Sequence, residues 1–146
     1  MSTTFKATIE HVNHTTSKAT VRTHTVLVVR GVAKGRLDLG PAGGVYMLVS
    51  LGGCFTSHLT AAIRARDAAV ANVRVAVTGT LDGTPERFTA FTMEVSAECQ
   101  EAGLVRRLIA IAARACQVVN TLGQVAPIAI TYAGLPVELT EAAAVG

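Results

Sequence analysis

The pattern of apolar and polar positions in the first half of the chain predicts two strands, a loop and a buried helix. Residues 3–12 and 18–30 are expected to be extended, the second because β-branched residues dominate it. Residues 31–44 carry five glycines and one proline, so they are expected to form a loop. Residues 45–71 place apolar helix formers on nearly every face, which is typical of a buried helix.

The second half of the chain predicts a hairpin, a second helix and a final strand. Apolar residues alternate over 73–77 and again over 91–95, and the segment 82–85 (Asp-Gly-Thr-Pro) turns the chain between them. Residues 101–116 are predicted to be helical and residues 127–132 extended. The order is therefore ββ-helix-ββ-helix-β. Because strands and helices do not alternate, this order predicts an α+β fold with largely antiparallel pairing.

Composition adds an expectation about assembly. The chain has 146 residues, of which 50% are hydrophobic and only 16% are charged, and its mean hydropathy is +0.44. This length predicts one domain spanning residues 1–146. A small domain that is so apolar keeps apolar surface exposed, and burial in an obligate oligomer is the simplest way to cover it.

The same composition limits the location and the partners. The longest apolar stretch, residues 45–63, is interrupted by polar side chains and is not expected to span a bilayer; these are Ser50, Thr56, Ser57, His58 and Thr60. Residues 1–6 lack the features of a secretion signal. The net charge of +3 comes from scattered basic residues. We therefore expect a cytoplasmic protein with neither a membrane nor a nucleic acid as its partner.

Two cysteines, Cys54 and Cys116, are the main candidates for chemistry. Each lies in an apolar helical segment, so each can be a small core residue or a reactive thiol. Small residues beside Cys54 leave space next to its sulfur. Spacing alone leaves their pairing open, because a disulfide needs Cα atoms within about 7 Å. The third cysteine, Cys99, is interpreted as structural.

A metal or nucleotide site has little support. His58 follows Cys54 by four residues and shares its helix face, but a zinc site needs further ligands. The other histidines, His11, His14 and His24, show no ligand spacing. No nucleotide-binding motif stands where its mechanism would need it, so we predict no metal and no cofactor.

Three basic residues surround the glycine-rich loop before the first helix: Arg30, Lys34 and Arg36. They can be solvated loop charges, which is the more common case. Alternatively, one of them favours the thiolate of Cys54, which is the nucleophilic form of a cysteine.

These pieces together resemble the OsmC/organic hydroperoxide resistance family. The resemblance rests on Gly40-Pro41 before an apolar helix that contains residues 51–55 (Leu-Gly-Gly-Cys-Phe), and on Ala115-Cys116 followed by Asn120-Thr121. The family pattern is a Leu-Gly-Ala-Cys-like helix, a β-hairpin, and a helix that ends in Cys-Pro-x-x-Asn. The resemblance extends over roughly residues 20–132.

The resemblance implies an OsmC-like α+β fold, in which antiparallel sheets pack around a long buried central helix. It also implies an intertwined homodimer with active sites at the subunit interface. The central helices would pack back to back, and Gly52-Gly53 would let their backbones approach.

The resemblance further implies a cysteine-based peroxidase that reduces organic hydroperoxides in oxidative stress defence. Cys54 would attack the peroxide, and Cys116 would trap the resulting sulfenic acid as a disulfide. Arg36 is the nearest candidate for the arginine that holds the thiolate. A dithiol or lipoyl-type reductant would reopen the disulfide.

Two departures from the family pattern affect this expectation. Active members carry a glutamate ten residues before the first cysteine, where this chain has Gly44, and Gln117 replaces the proline after the second cysteine. The alternative is therefore an OsmC-fold protein that binds a small ligand or senses redox state without efficient turnover. The retained Cys116 argues against that alternative.

Overall fold

A computed structural model describes residues 1–31 and 38–139 and shows seven strands and three helices in those ranges. In chain order they are β1 (Thr8–Asn13), β2 (Thr16–Val21), β3 (His24–Val29), α1 (Tyr46–Ala65), β4 (Ala71–Asp82), β5 (Arg87–Glu98), α2 (Ala102–Ala115), α3 (Gln117–Leu122), β6 (Ile128–Tyr132) and β7 (Leu135–Pro136). The predicted α+β class is confirmed. Sequence patterning missed one N-terminal strand, α3 and β7.

The chain divides into two compact units, Met1–Met47 and Leu48–Gly146, which we describe separately. The first unit holds β1, β2 and β3 and the turn that leads into α1. The second unit holds almost all of α1 and every later element. The expectation of one domain over residues 1–146 stays a prediction.

The first unit is a three-stranded antiparallel sheet in the order β1-β2-β3. The prediction of a single strand over residues 18–30 is wrong. Arg22 adopts a positive φ of 55°, and Val21 pairs with His24 across the tight turn. The β-branched run therefore folds back on itself, because β-propensity favours extended backbone without specifying where the chain reverses.

The start of α1 is connected to β3 through Tyr46. Its hydroxyl donates a 2.6 Å hydrogen bond to the carbonyl oxygen of Leu27. Gly40 also lies close to this residue, since a Cβ at position 40 would be 2.7 Å from the same oxygen. A glycine is thus required where the segment before α1 passes β3.

Helix α1 ends earlier than predicted. It stops at Ala65, where the predicted helix continued to residue 71. Asp67 has a positive φ of 47°, and the Ala68 amide donates to the carbonyl oxygen of Ile63 at 3.0 Å. These contacts close the last turn and release the chain into β4.

The second unit contains a four-stranded sheet in the order β4-β5-β6-β7. The predicted hairpin of β4 and β5 is confirmed and is antiparallel. The expectation of largely antiparallel pairing holds except between β5 and β6, which are parallel. The two helices between these strands form a crossover connection, which returns the chain in the same direction.

Helix α1 packs against β4 in this unit. A Cβ on Gly52 would lie 2.6 Å from Cγ2 of Val77, and one on Gly79 would lie 2.8 Å from Cδ2 of Leu48. Leu51, Phe55 and Leu59 are at most 1% exposed. The helix therefore buries one face within the chain, whereas Val49 on another face is 58% exposed.

By length and composition alone, α1 is apolar enough to cross a membrane. From the sequence, the stretch 45–63 is not expected to span a bilayer, because polar side chains interrupt it. The length and composition of α1 differ from that expectation. The core helix of a folded domain passes the same test, and α1 buries Leu51, Phe55 and Leu59 in the second unit. We therefore interpret α1 as a core helix.

Candidate active site

The structure brings Cys54 and Cys116 together. Cys54 lies in the middle of α1, and Cys116 lies at the junction of α2 and α3. Both cysteines are free thiols. The Cys54 thiol donates to Oε1 of Gln117, the residue that follows Cys116, at 3.4 Å, and the side chain of Cys54 acts on the pKa of the Cys116 thiol. The two thiols therefore lie near each other within the second unit, and their pairing as a disulfide stays a prediction.

The position of Cys116 follows from its role as the N-cap of α3. Its backbone is extended, with φ −77° and ψ 116°, and its sulfur accepts a 3.5 Å hydrogen bond from the Val119 amide. An N-cap side chain that accepts from the first turn satisfies an otherwise unpaired amide. The short helix therefore orients the thiol of Cys116.

The two thiols differ in exposure. Cys116 is completely buried, whereas Cys54 is half-buried. Burial raises the pKa of the Cys116 thiol above its ordinary value of 9.0, the Val119 hydrogen bond opposes this, and the hydrogen bond and charge of Cys54 raise it further. Cys116 therefore stays protonated at neutral pH, and Cys54 is the more accessible sulfur.

The side chain of Gln117 joins this pair to His58. The Cys54 thiol donates to Oε1 of Gln117 at 3.4 Å, and Nε2 of His58 lies 3.0 Å from the same oxygen. The expectation that Cys54 and His58 share a helix face is confirmed, since both reach one atom. The site thus contains two thiols, an amide and an imidazole.

From the sequence, Gln117 is identified only as a departure from the family proline. Its position directly after Cys116 was the one available signal that it could contact the thiols. The turn from α2 into α3 places its side chain over α1, and the sequence pattern did not separate these two helices.

Of the three predicted cations, Arg30 lies within the described residues. Arg36 and Lys34 lie outside them. Arg30 follows β3 in the first unit, where its side chain is exposed and its amide donates to the carbonyl oxygen of Thr15 at 2.8 Å.

Gly44, at the position of the family glutamate, lies in the turn into α1 and accepts a hydrogen bond from the Met47 amide.

Cys99 lies apart from this site, beside an open cavity of about 830 Å³ that Arg66 and Leu104 also line. Its sulfur accepts a 3.4 Å hydrogen bond from the Glu101 amide at the start of α2. Within residues 1–31 and 38–139, no group of three or more His, Cys, Asp or Glu side chains is arranged to hold a metal ion.

Comparison with known proteins identifies the family. A sequence model of the family described as "OsmC-like protein" matches residues 35–131. No protein with a curated description matches the sequence.

Solved structures of low sequence identity share the fold. An OsmC-like protein from Mycoplasma pneumoniae has a TM-score of 0.75 at 15% identity, covering 90% of this chain and 99% of its own. The organic hydroperoxide resistance protein OhrB of Bacillus subtilis has a TM-score of 0.68 at 12% identity, covering 89% of this chain and 98% of its own.

A third similar structure carries a ligand. It is a putative organic hydroperoxide resistance protein from Vibrio cholerae with captopril bound in one of its active sites. Its TM-score is 0.73 at 13% identity, covering 93% of this chain and 96% of its own. The OsmC-like fold predicted from the sequence is thereby confirmed. The family match over residues 35–131 shows that this chain belongs to the OsmC-like protein family.

Proposed function

We propose that this protein is a peroxidase that reduces organic hydroperoxides through Cys54 and Cys116. The observation that carries the proposal is the proximity of the two thiols: Cys54 donates to the side chain of Gln117, the residue directly after Cys116, and the pKa of the Cys116 thiol is raised by burial and further by Cys54. An isolated core cysteine needs no second thiol within reach. A peroxidatic cysteine does, because its sulfenic acid is protected from further oxidation when a neighbouring thiol captures it.

Cys54 is proposed to attack the peroxide because it is the more accessible sulfur. Its thiolate attacks the distal oxygen of the hydroperoxide, a sulfur–oxygen bond forms and the oxygen–oxygen bond breaks. The alkoxide leaves and takes a proton from solvent to become an alcohol. Cys54 is oxidised to a sulfenic acid, and the hydroperoxide is reduced.

Cys116 is proposed to resolve this intermediate. Its sulfur attacks the sulfur of the Cys54 sulfenic acid, its proton is released, and the sulfenic oxygen leaves as water. A Cys54–Cys116 disulfide results. A dithiol or lipoyl-type reductant then returns both cysteines to thiols by thiol–disulfide exchange. We propose that these reactions take place in the cytoplasm, where such reductants keep thiols reduced.

Arg36 remains the proposed cation that stabilises the Cys54 thiolate. This assignment rests on the sequence pattern and on the resemblance to the family. A guanidinium near a thiolate favours the ionised form. Exchange of Arg36 for lysine keeps a charge and exchange for methionine removes it, so the two variants separate charge from packing.

We further propose that the protein functions as a homodimer. One face of α1 in the second unit is uncovered, with Val49 and Gly53 exposed. An open cleft of about 600 Å³ lies along this face and is lined in part by Leu48, Val75 and Val77. An apolar face of this kind is normally covered in the functional assembly.

Peroxide consumption by cysteine variants tests the peroxidase proposal. Wild type and Cys99→Ser are expected to consume cumene hydroperoxide in repeated cycles when dihydrolipoamide is supplied. Cys54→Ser is expected to consume none above the reductant alone. Cys99→Ser is the matched control, because it removes a thiol outside the pair. Equal consumption by Cys54→Ser and wild type would refute the proposal.

A second candidate is a redox sensor or small-ligand protein with this fold and no efficient turnover. The observation in its favour is Gly44, which leaves no carboxylate at the position of the family glutamate. The same assay separates the two functions. A sensor would form the disulfide once with excess peroxide and show no sustained consumption with reductant.

A further inference from the structure

The amide of Gln117 bridges a thiol and an imidazole through one oxygen. Oε1 lies 3.4 Å from the sulfur of Cys54 and 3.0 Å from Nε2 of His58. An amide oxygen has two lone pairs and can accept from both groups. This arrangement fits Cys54 as a protonated thiol and His58 with its proton on Nε2.

A half-turn of the Gln117 amide produces a second arrangement that fits a thiolate. The NH₂ group then takes the place of the oxygen, and its two N–H bonds can point to the Cys54 sulfur and to Nε2 of His58. A thiolate accepts hydrogen bonds and donates none, and neutral His58 with its proton on Nδ1 accepts at Nε2. The terminal amide torsion has two broad minima, and Gln117 is exposed, so this rotation has room.

We propose that Gln117 is a catalytic residue that stabilises Cys54 alternately as thiol and as thiolate by rotating its side-chain amide, and that His58 is a positioning residue that holds this amide against the sulfur. The inference rests on the proposed function, in which the Cys54 thiolate attacks the peroxide. On ionisation the proton passes from the sulfur to solvent, and no electron is transferred. Gln117 would then supply hydrogen bonds to the anion from the side of α3.

Among the described residues, Cys116 and His58 are the titratable groups that interact with the Cys54 site, while Lys34 and Arg36 lie outside those residues. Cys116 lies near Cys54 at the α2–α3 junction, and burial raises the pKa of the Cys116 thiol. His58 lies on α1 itself, and its Nε2 shares Oε1 of Gln117 with the Cys54 sulfur. Because Cys116 stays protonated when Cys54 ionises, the Gln117 amide is, among the described side chains, the polar group that contacts the sulfur and can donate to the new charge.

The backbone around Gln117 tolerates the substitutions that test this role. Gln117 is the first residue of α3, where proline is well accommodated. Cys116 before it has the extended conformation that a residue preceding proline prefers. Gln117→Pro therefore removes the amide with the fold preserved, and Gln117→Glu keeps the shape but supplies only acceptors and a negative charge.

Alkylation of Cys54 by iodoacetamide as a function of pH measures the effect without any peroxide. The Cys99→Ser protein is the background, and mass spectrometry of peptides assigns the label to Cys54. We expect Gln117→Glu to move the midpoint to higher pH by about one unit, which lowers the thiolate fraction about tenfold at neutral pH. Gln117→Pro is expected to shift it in the same direction by less, because it adds no charge.

Variants of His58 test the positioning role. His58→Ala is expected to shift the midpoint upward as well, because the amide loses the partner that holds it. His58→Gln supplies both a donor and an acceptor and is expected to restore most of the wild-type midpoint. A purely structural role for His58 would change the unfolding transition and leave this midpoint in place.

The outcomes separate this inference from the proposed function. An unchanged midpoint in Gln117→Pro or in folded Gln117→Glu would overturn the role of the amide, whatever the peroxidase activity. A shifted midpoint in a protein that consumes no hydroperoxide would support the amide's effect on the thiolate and refute the peroxidase. If Gln117→Glu fails to fold, Gln117→Pro decides the test.

Discussion

Cys54 and Cys116 are the same side chain in different surroundings. Cys116 is buried and receives a hydrogen bond from the Val119 amide, whereas Cys54 is half-buried and faces the Gln117 amide. The accessible sulfur is the better nucleophile toward a dissolved peroxide, and the buried one is better suited to capture a neighbour. This asymmetry is the physical basis for assigning different roles to two identical side chains.

The roles predict different oxidation products in the two serine variants. Cys116→Ser is expected to accumulate a sulfenic acid on Cys54 after one equivalent of cumene hydroperoxide, because no resolving thiol is present. Dimedone labelling followed by peptide mass spectrometry detects it. Cys54→Ser is expected to take up no label on Cys116. Labelling of Cys116 in that variant would show that Cys116 can attack the peroxide itself, which would contradict the role assigned to Cys54.

Burial of Cys116 also predicts a loss of stability at alkaline pH. Its raised pKa means that the folded protein keeps a proton that the unfolded chain loses above the ordinary value of 9.0. The free energy of unfolding then decreases as pH rises above that value. Urea unfolding of reduced protein should show this decrease for wild type and a weaker one for Cys116→Ala. Equal pH dependence of the two proteins would contradict the assignment.

The sequence predicts the two cysteines and His58 as candidates for the site. It does not predict that Gln117 joins them. Helical spacing placed Cys54 and His58 on one face, since that depends only on local geometry. The contact with Gln117 depends on how the α2–α3 junction packs over α1. Such a tertiary contact leaves no periodic signal in the sequence.

Helix α1 and strand β4 pack closely against each other in the second unit. The sequence predicted that Gly52 and Gly53 permit a close approach of another backbone. For Gly52 the neighbour within the chain is the Val77 side chain of β4. Within residues 1–31 and 38–139, a Cβ on Gly53 would meet nothing within 4 Å, so packing in that part of the chain explains Gly52 and leaves Gly53 unexplained.

Gly52→Ala is therefore expected to destabilise the protein. Overpacking costs about 1–3 kcal/mol, and the better helix propensity of alanine returns about 1 kcal/mol. The midpoint of urea unfolding should fall accordingly. Adding Val77→Ala should recover part of the loss, because it removes the methyl group that the new Cβ meets. A Gly52→Ala protein as stable as wild type would show that α1 does not pack on β4 in this way.

The elements that could be predicted are those with long and regular patterns. The β4–β5 hairpin and α2 were predicted because their apolar periodicity extends over many residues. The turn at Arg22, the end of α1 and the two-residue strand β7 depend on single backbone conformations or on tertiary pairing. The parallel pairing of β5 with β6 was not predicted either, because it depends on the crossover connection between these strands.

For the whole molecule, the exposed face of α1 and the apolar composition both favour a dimer. Val49→Lys is expected to convert the proposed dimer into monomers, because it would bury a charge in an apolar interface. Sedimentation equilibrium measures the change. Val125→Lys is the control, since Val125 is similarly exposed, at 68%, and lies outside α1. A wild-type protein that is monomeric at all concentrations would contradict the dimer.

The central claim is that one hydroperoxide molecule converts the Cys54 and Cys116 thiols into a disulfide. Reduced protein treated with one equivalent of cumene hydroperoxide, then alkylated, digested and analysed by mass spectrometry, tests it directly. We expect the wild type to lose two free thiols per chain, with a Cys54–Cys116 cross-linked peptide and Cys99 still alkylated. Cys54 and Cys116 both remaining free, with the hydroperoxide intact, would contradict the account.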